Sequence, residues 1–531
     1  MAAAVEATTD TPKRAGLVLG TLILVAFVAN MNLGVCNVAL PDIGRALDAG
    51  QTGLNLAAVG YSLGLAASVL YFGAIGDRYG RKQMLVYGMA LSIPASLLAG
   101  WAPNIGILVV ARIIGGLSAG MAYPTTLALI TALWQRQPRV RAIAMWSAIG
   151  GAAMFLSTLV SGALVMYFWW GSVFIVTVPL AVVAIIGVLA FVPAHVSESS
   201  EAVDHIGGVL SMVLVGCLVL GINFVTVPNL QNRAYYLLGI AVIAGVSFVV
   251  RQLRAASPLY ELKVAARPTF WVAAVAGIIS FGALMGSMYV GQQYLQNVLG
   301  YEPFEAGLAT LPAAFCMVFV ARYSARLIAS RGSRITLLAG FVFLFAAFVL
   351  MLTTWGSHQS YWVIALAYMC VGIGVGLGGT PASQCLTASV PVRRVGMASG
   401  TADLERDLGG AIMQSILGAL LTAGYATSIV TQVGQAEATS QQQVSDSVVS
   451  TLQRSYGSAT TVAKQYPQYS TEIINGARDA FVQGQKWAFS AAIISVVLGI
   501  AIVYFAFPRK TREVELIAEY HRIDGDAPAP A

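Results

Sequence analysis

The sequence predicts an all-α integral membrane protein with fourteen transmembrane helices. Three observations predict it. The 531 residues are 57% hydrophobic and only 10% charged, whereas a soluble globular protein carries about 25% charged residues. Mean hydropathy is +0.75, and apolar runs of about 18 residues or more, long enough to cross a bilayer, recur along the chain. The 30 Lys and Arg are unevenly placed between alternate loops, as membrane topology demands. That placement accounts for the net charge of +7 without a nucleic-acid partner.

The polar tail 1–14 ends in Lys13-Arg14. The apolar run behind it exceeds a signal-peptide core and has no small-residue cleavage site nearby, so it reads as a retained first span. Six spans at about 15–40, 52–76, 83–101, 105–134, 142–167 and 169–193 make a first bundle, residues 15–193. Two more, near 207–227 and 233–251, form an insert, residues 207–251. Six more lie near 269–299, 305–328, 335–355, 361–389, 396–426 and 485–507 in a second bundle, residues 269–507. Residues 508–531 form a tail. The segment 427–484, rich in Gln, Ser and Thr, reads as an outer loop with amphipathic helices or a hairpin, either a passive cap or a binding lid.

An even number of spans puts both ends on one side. If that side is cytoplasmic, 22 Lys and Arg fall inside, six outside, and two, Arg112 and Arg406, within spans. The positive-inside rule then makes both termini cytoplasmic. The five cysteines, Cys36, Cys217, Cys316, Cys370 and Cys385, lie in apolar stretches without a CxxC pair. They read as buried hydrophobes.

The two bundles repeat each other. After span 2 comes Gly73-Ala-Ile-Gly-Asp-Arg-Tyr-Gly-Arg-Lys82, and after span 10 comes Arg326-Leu-Ile-Ala-Ser-Arg-Gly-Ser-Arg334. Gly332 follows Gly80 by 252 positions, and Pro381 of span 12 follows Pro124 of span 4 by 257. Two related bundles around a midplane cavity are a transporter architecture.

Residues 73–82 resemble the cytoplasmic loop signature of the major facilitator superfamily, G-x-L-[AG]-D-R-x-G-R-[RK], with Ile75 in place of Leu. Gly73 and Gly76 permit close helix packing and Gly80 a tight turn. Asp77, beside Arg78, can sit against a helix N-terminus or Arg81 and latch the bundles on the cytoplasmic side. Asn37-Val-Ala-Leu-Pro41, Leu108-x3-Arg112-x3-Gly116, Gln293-Tyr-Leu-Gln296, Ala306-Gly307 and Leu311-Pro312 together resemble the fourteen-helix drug:proton antiporter branch. The resemblance implies the major facilitator fold, two six-helix bundles plus two inserted helices, and export of drugs or quaternary ammonium compounds.

The departures from that branch bear on coupling. The branch places an Asp five residues before the Asn of N-V-A-L-P; here Asn32 stands there. The span 5 motif G-x3-G-P-x2-G-G is replaced by Ala153-Met-Phe-Leu-Ser-Thr-Leu-Val-Ser-Gly162, with Ser157-Thr158 in place of Gly-Pro. The motif W-R-W-x-F-x-x-N-x-P is reduced to Trp170, Phe174 and Pro179.

Acids at membrane depth occur only in span 13, in Asp403-Leu-Glu-Arg-Asp-Leu-Gly-Gly410. At ~1.5 Å per residue, Asp407 lies roughly 16 Å past Gly396. Asp403 and Asp407 share a helix face, Arg406 can pair with Asp403, and Glu405 points elsewhere. Burying such charges costs several kcal/mol unless they are paired, hydrated or protonated. They are the candidate proton-coupling groups, and the resemblance implies acids of this spacing for quaternary-ammonium export. The alternative is a protruding span 13 with a cytoplasmic salt-bridge network. Arg112 is expected to couple conformations by bonding backbone carbonyls or span 1 amides such as Asn32, or else to face an anionic substrate. Candidate cavity residues are Asn30, Asn32, Tyr123, Trp146, Phe155, Gln292, Gln293 and Tyr294, whose amide and aromatic groups suit an amphipathic ligand.

The chain is therefore expected to export amphipathic compounds by alternating access, coupled to protons. Its partners are small amphipaths, protons and membrane lipids, with no nucleic acid, cofactor, metal or obligate protein partner. No G-x4-G-K-[ST] loop, metal cluster or nucleophile triad points to an enzyme. An uncoupled facilitator or lipid-like or organic-anion transporter of the same fold is the first alternative, and a transporter-like sensor is another.

Overall fold

The structure is a computed structural model that describes residues 11–12, 14–134, 136–194, 202–225, 227, 230–390, 395–440 and 444–524. The tails 1–10 and 525–531, with Lys13, His195, Arg393 and Arg394, lie outside the described residues. Every regular element among the described residues is a helix.

Spans 1 to 6 are α1 (Ala15–Ala46), α2 (Gln51–Tyr79), α3 (Arg81–Gly100), α4 (Ile105–Leu133), α5 (Arg136–Tyr167) and the broken helix α6 (Ser172–Ile175) with α7 (Thr177–Phe191). The insert is α8 (His205–Phe224) and α9 (Gln231–Arg254). After a single turn, α10 (Leu262–Ala265), the second bundle begins with α11 (Pro268–Gln293), extended by a π turn Tyr294–Val298. It continues with α12 (Pro303–Leu308), α13 (Leu311–Arg331), α14 (Ser333–Thr354), α15 (Tyr361–Ala388) and α16 (Val395–Ser440). Two short helices, α17 (Asp446–Arg454) and α18 (Tyr456–Gln465), precede α19 (Ser470–Ala506) and a final α20 (Lys510–Ile523). Among the described residues, thirteen helices are long and apolar enough to cross a membrane. With α5, whose apolar segment is Ala153–Tyr167, they match the fourteen spans expected. The membrane side carrying the chain ends is called proximal below, the other distal.

The repeat is visible in the backbone. Gly80 (φ 123°) and Gly332 (φ 89°) each end one helix and start the next within a single residue. Positive φ strains any residue with a Cβ, which explains glycine at both. Pro124 and Pro381 lie inside α4 and α15, the fourth helix of each bundle. Within the first bundle, α2 and α4 meet backbone to backbone. A Cβ on Gly64 would stand 2.2 Å from the Ile113 carbonyl, and one on Gly116 2.1 Å from that of Tyr61. Without water to drive association, such close approach through small residues holds membrane helices together.

The insert does more than line the periphery. α8 packs against both α2 and α16, so it touches the two bundles at their joint. Asn55 of α2 donates to Asn223 of α8, which donates through Nδ2 to Ser415 Oγ of α16 at 2.7 Å. Buried Asp204 caps α8 by accepting from Gly207 N at 3.1 Å and also holds Arg251 and Gln252 of α9 at 2.9 and 3.0 Å. The outer face of α9 is exposed, Tyr236, Val242 and Ile243 among it, as befits a lipid-facing helix.

The segment 427–484 is mostly helical because α16 and α19 run past the bilayer. At ~1.5 Å per residue, α16 is about 69 Å long. The hairpin α17–α18 lies between them and reaches back to the first bundle. Arg454 pairs with Asp48 at 3.0 Å and donates to its carbonyl at 2.8 Å, and Ser455 Oγ donates to Ala49 O at 3.1 Å.

On the proximal side the expected tail is a docked helix, α20. Glu513 accepts from Ser333 N, at the start of α14, at 3.2 Å. Lys510 Nζ donates to Ala329 O and Ser330 O, at the end of α13, at 2.7 and 3.0 Å. An anion at a helix N-terminus and a cation at a C-terminus both complement the helix dipole. Arg267 forks onto Asp524 at 2.8 and 3.0 Å and covers the Tyr520 ring at 4.4 Å. All five cysteines are free.

Candidate transport site

The joint between the bundles carries a charge cluster built by α16. Asp403, Glu405 and Asp407 are all buried. The 100° step of a helix sends Asp403 and Asp407 to one face and Glu405 to the other. Arg406 leaves its own helix: its Nη1 donates to Tyr123 OH of α4 at 2.8 Å, and its guanidinium lies 4.7 Å from that ring. Tyr123 packs on Trp146 of α5, with ring centroids 5.3 Å apart, and Trp146 Nε1 donates to Thr126 Oγ1 at 2.9 Å. The ion pair Arg406 makes is with Asp407, at 3.4 Å, not the expected one with Asp403. Asp407 Oδ2 has no hydrogen-bond partner among the described residues.

Glu405 faces the interior of the second bundle. A Cβ on Gly277 of α11 would stand 2.2 Å from its carboxyl oxygen, so glycine makes the room. Neither carboxyl oxygen has a hydrogen-bond partner among the described residues.

Arg112 sits apart, in the first bundle. It donates through Nε to Ala57 O at 3.2 Å and through Nη1 to Asn32 O at 2.7 Å. Tyr61 and Phe174 flank the guanidinium at 4.8 and 5.5 Å. These are the backbone carbonyls expected, and the acceptor on Asn32 is its main chain. The Asn30 and Asn32 amides instead donate to Ala26 O and Val28 O of their own helix, at 2.9 and 3.1 Å. Arg112 lines a small cavity with Asn32, Tyr61, Ser92, Ser96 and Ser118.

The other candidates separate. Phe155 is buried in the core with Trp146. Gln293, Gln292 and Tyr294 lie at the distal end of α11. Gln293 accepts from Gln51 Nε2 at 2.8 Å across the bundle interface. Gln292 donates to Ala306 O at 2.9 Å, and Tyr294 stacks on Trp355 at 4.7 Å and donates to Gly356 O. Gln51 also donates to Tyr289 OH at 3.2 Å, and Gln296 donates to Val38 O at 2.9 Å. The distal ends of the bundles are thus sealed together.

At the proximal turn, Arg81 donates to Asp77 at 2.8 Å and to Ala128 O at 3.4 Å. All three residues belong to the first bundle, so this ion pair does not reach across to the second. Gly76 packs tightly, with Met84 Cγ 3.2 Å from where a Cβ would lie, whereas Gly73 has open space there. Arg78 is exposed beside the Tyr79 ring, 6.0 Å away.

The family model for the Major Facilitator Superfamily matches residues 22–414. The chain belongs to the Major Facilitator Superfamily. It is 30% identical over 505 residues to the multidrug efflux pump LfrA of Mycolicibacterium smegmatis, covering 94% of this chain and 98% of that one. It is 26% identical over 503 residues to the methyl viologen resistance protein SmvA of Salmonella typhimurium, covering 94% and 99%. Among solved structures, a bacterial homologue of the human lysosomal transporter Spinster, inward-facing and unoccupied, shares the fold with a TM-score of 0.64 at 14% identity. That match covers 94% of this chain and 98% of the other. The chain is thus a multi-pass membrane protein of a transporter family whose named relatives act on small molecules.

Sequence reasoning missed the partners of these groups. Tyr61 beside Arg112, and Gly277 against Glu405, carry no signal in the linear chain, and Phe174 was legible only as a remnant of the W-R-W-x-F-x-x-N-x-P motif. Asn55 and Asn223 did carry one: each is an amide within an apolar span, where polar side chains are retained to bond across helices. Gln51, at the head of α2, did not.

Proposed function

We propose that this superfamily member exports amphipathic or lipophilic compounds by alternating access, driven by proton uptake through the acids of α16. One observation carries the reading: Asp403 and Asp407 lie buried at the joint between the bundles, and the partly buried Arg406 beside them sits against an aromatic pair of the opposite bundle. A buried carboxylate is costly unless it is paired or protonated. Asp407 has one oxygen 3.4 Å from Arg406 and one without a hydrogen-bond partner among the described residues. A proton or a positive ligand completes it, and the two are alternatives, which is the requirement for exchange. Relatives described as multidrug efflux pumps support the direction and the substrate class. The excess of Lys and Arg on the proximal loops supports cytoplasmic chain ends, and the bacterial relatives an inner-membrane location.

In this reading Arg112 ties α1, α2 and α4 into one moving body, and the Asp77–Arg81 turn, whose pair stays within the first bundle while the distal side is sealed, is the cytoplasmic gate once the proximal side closes. The distal seal of Gln51, Gln293 and Gln296 must break for release. A second reading is favoured by Asn32, which leaves Arg112 facing neutral acceptors, and by Ser157-Thr158: an uncoupled facilitator of the same fold.

Transport of a fluorescent amphipath in reconstituted vesicles with an imposed pH gradient tests the proposal. Uptake that follows the gradient is expected. Transport indifferent to the gradient would leave the facilitator. No transport across cationic, neutral and anionic amphipaths would point to a sensor.

A further inference from the structure

We propose that the Arg406 guanidinium is an internal stand-in for the ligand, occupying the Tyr123–Trp146 face that an organic cation takes when it binds. The inference rests on the reading of the central cluster as a transport site.

The geometry around Arg406 is unusual for an arginine beside buried acids. A charge-assisted N–H···O bond is normally about 2.7–2.9 Å. Arg406 stands 3.4 Å from Asp407 and makes its short bond, 2.8 Å, to the neutral hydroxyl of Tyr123. Its strongest described contacts therefore lie on the opposite bundle. The guanidinium lies 4.7 Å from the Tyr123 ring, within the ~6 Å range of a cation–π contact. Trp146 backs that ring at 5.3 Å and is itself fixed by Thr126. Tyr123 and Trp146 are both buried, so the aromatic wall is held in place.

The unmet side of the cluster is acidic. Asp407 Oδ2 is buried without a hydrogen-bond partner among the described residues, and Asp403 is buried on the same face. An aromatic wall on one side and carboxylates on the other recognise a delocalised organic cation. A neutral amphipath gains nothing from the carboxylates, and an anion is repelled by them. The cation must take the ring face that Arg406 now covers. Because Arg406 and Tyr123 belong to different bundles, loading the site also removes a link between them. Arg406 thus sets a threshold: only a cation that matches its contacts displaces it.

The test is equilibrium binding to the purified full chain in nanodiscs at one pH, without a gradient. The probes are tetraphenylphosphonium and neutral triphenylphosphine oxide. Arg406→Gln is expected to bind the cation about tenfold more tightly, with the neutral probe unchanged. Arg406→Lys retains a competing charge and should remain near wild type. Tyr123→Phe keeps the ring and removes the hydroxyl that holds Arg406, so it should also tighten cation binding, by less. This second variant guards against misfolding of the first.

Unchanged or weaker cation binding in both Arg406→Gln and Tyr123→Phe overturns the proposal, as does equal tightening for the neutral probe. The vesicle assay separates the two claims. Wild-type export with unchanged binding in the variants sinks the stand-in alone. Tightened binding in the variants without wild-type export sinks the transport reading and leaves the stand-in.

Discussion

Gln51 of α2 donates to Gln293 of α11 at 2.8 Å, and this bond joins the two bundles at their distal ends. Both residues are buried. Gln51→Leu leaves the Gln293 carbonyl oxygen without that donor, a penalty of about 1–3 kcal/mol confined to the sealed conformation. The distal side should therefore open more often. A cysteine placed at Asn297, which lines the adjacent cleft with Gln51 and Tyr456, should react several-fold faster with a membrane-impermeant maleimide. An unchanged rate would show that the seal lies elsewhere.

Asp407→Asn keeps the shape of the cluster and removes the exchangeable proton. Gradient-driven accumulation should fall to the background of empty vesicles, while substrate exchange across the membrane persists. Gradient-driven uptake equal to wild type would exclude Asp407 from coupling.

Arg112→Lys retains the charge but not the fork that reaches Ala57 O and Asn32 O together. A lysine cannot hold that planar, two-point contact. Transport rate should drop at least tenfold with little change in substrate affinity, because the loss is in coordination of α1, α2 and α4. A main effect on affinity would place Arg112 in the substrate site.

Gly116→Leu forces a side chain into space where a Cβ would already stand 2.1 Å from the Tyr61 carbonyl. Overpacking costs about 1–3 kcal/mol even when the neighbours are side chains, and here the neighbour is backbone. The purified protein should show a clearly lower melting temperature in detergent. Gly73→Ala, where the space is open, should melt like wild type.

Asp524→Ala breaks the forked pair with Arg267, whose side chains are 9% and 12% exposed. Removing one partner of a buried pair costs about 3 kcal/mol. Limited proteolysis should then cut within α20, which is protected in wild type. Equal protection would show that Glu513 and Lys510 hold the helix unaided.

The sequence carried the fold because its signals are local. Fourteen apolar runs, the Gly80 and Gly332 turns and the Pro124 and Pro381 positions can each be read without knowing what touches what. Bilayer thickness dictates the length of every span, and positive φ dictates glycine at the turns. The docked helix α20 was not legible as such, because its Glu513 and Lys510 contacts lie about 180 residues away in the chain.

The same division runs through the site. Composition alone placed four of the five membrane-depth charges in one stretch of span 13, and helical spacing alone set Glu405 apart from Asp403 and Asp407. What each charge meets was decided only by tertiary packing. Tyr123 stands 283 positions from Arg406, and Asn32 stands 80 from Arg112. Such partners are chosen by which helix faces which across the bundle joint, and a helix's own periodicity holds no information about its neighbour. For that reason the sequence determined which residues must be paired in the membrane, and the tertiary structure decided that Arg406 reaches Tyr123 of the opposite bundle while pairing with Asp407 of its own helix.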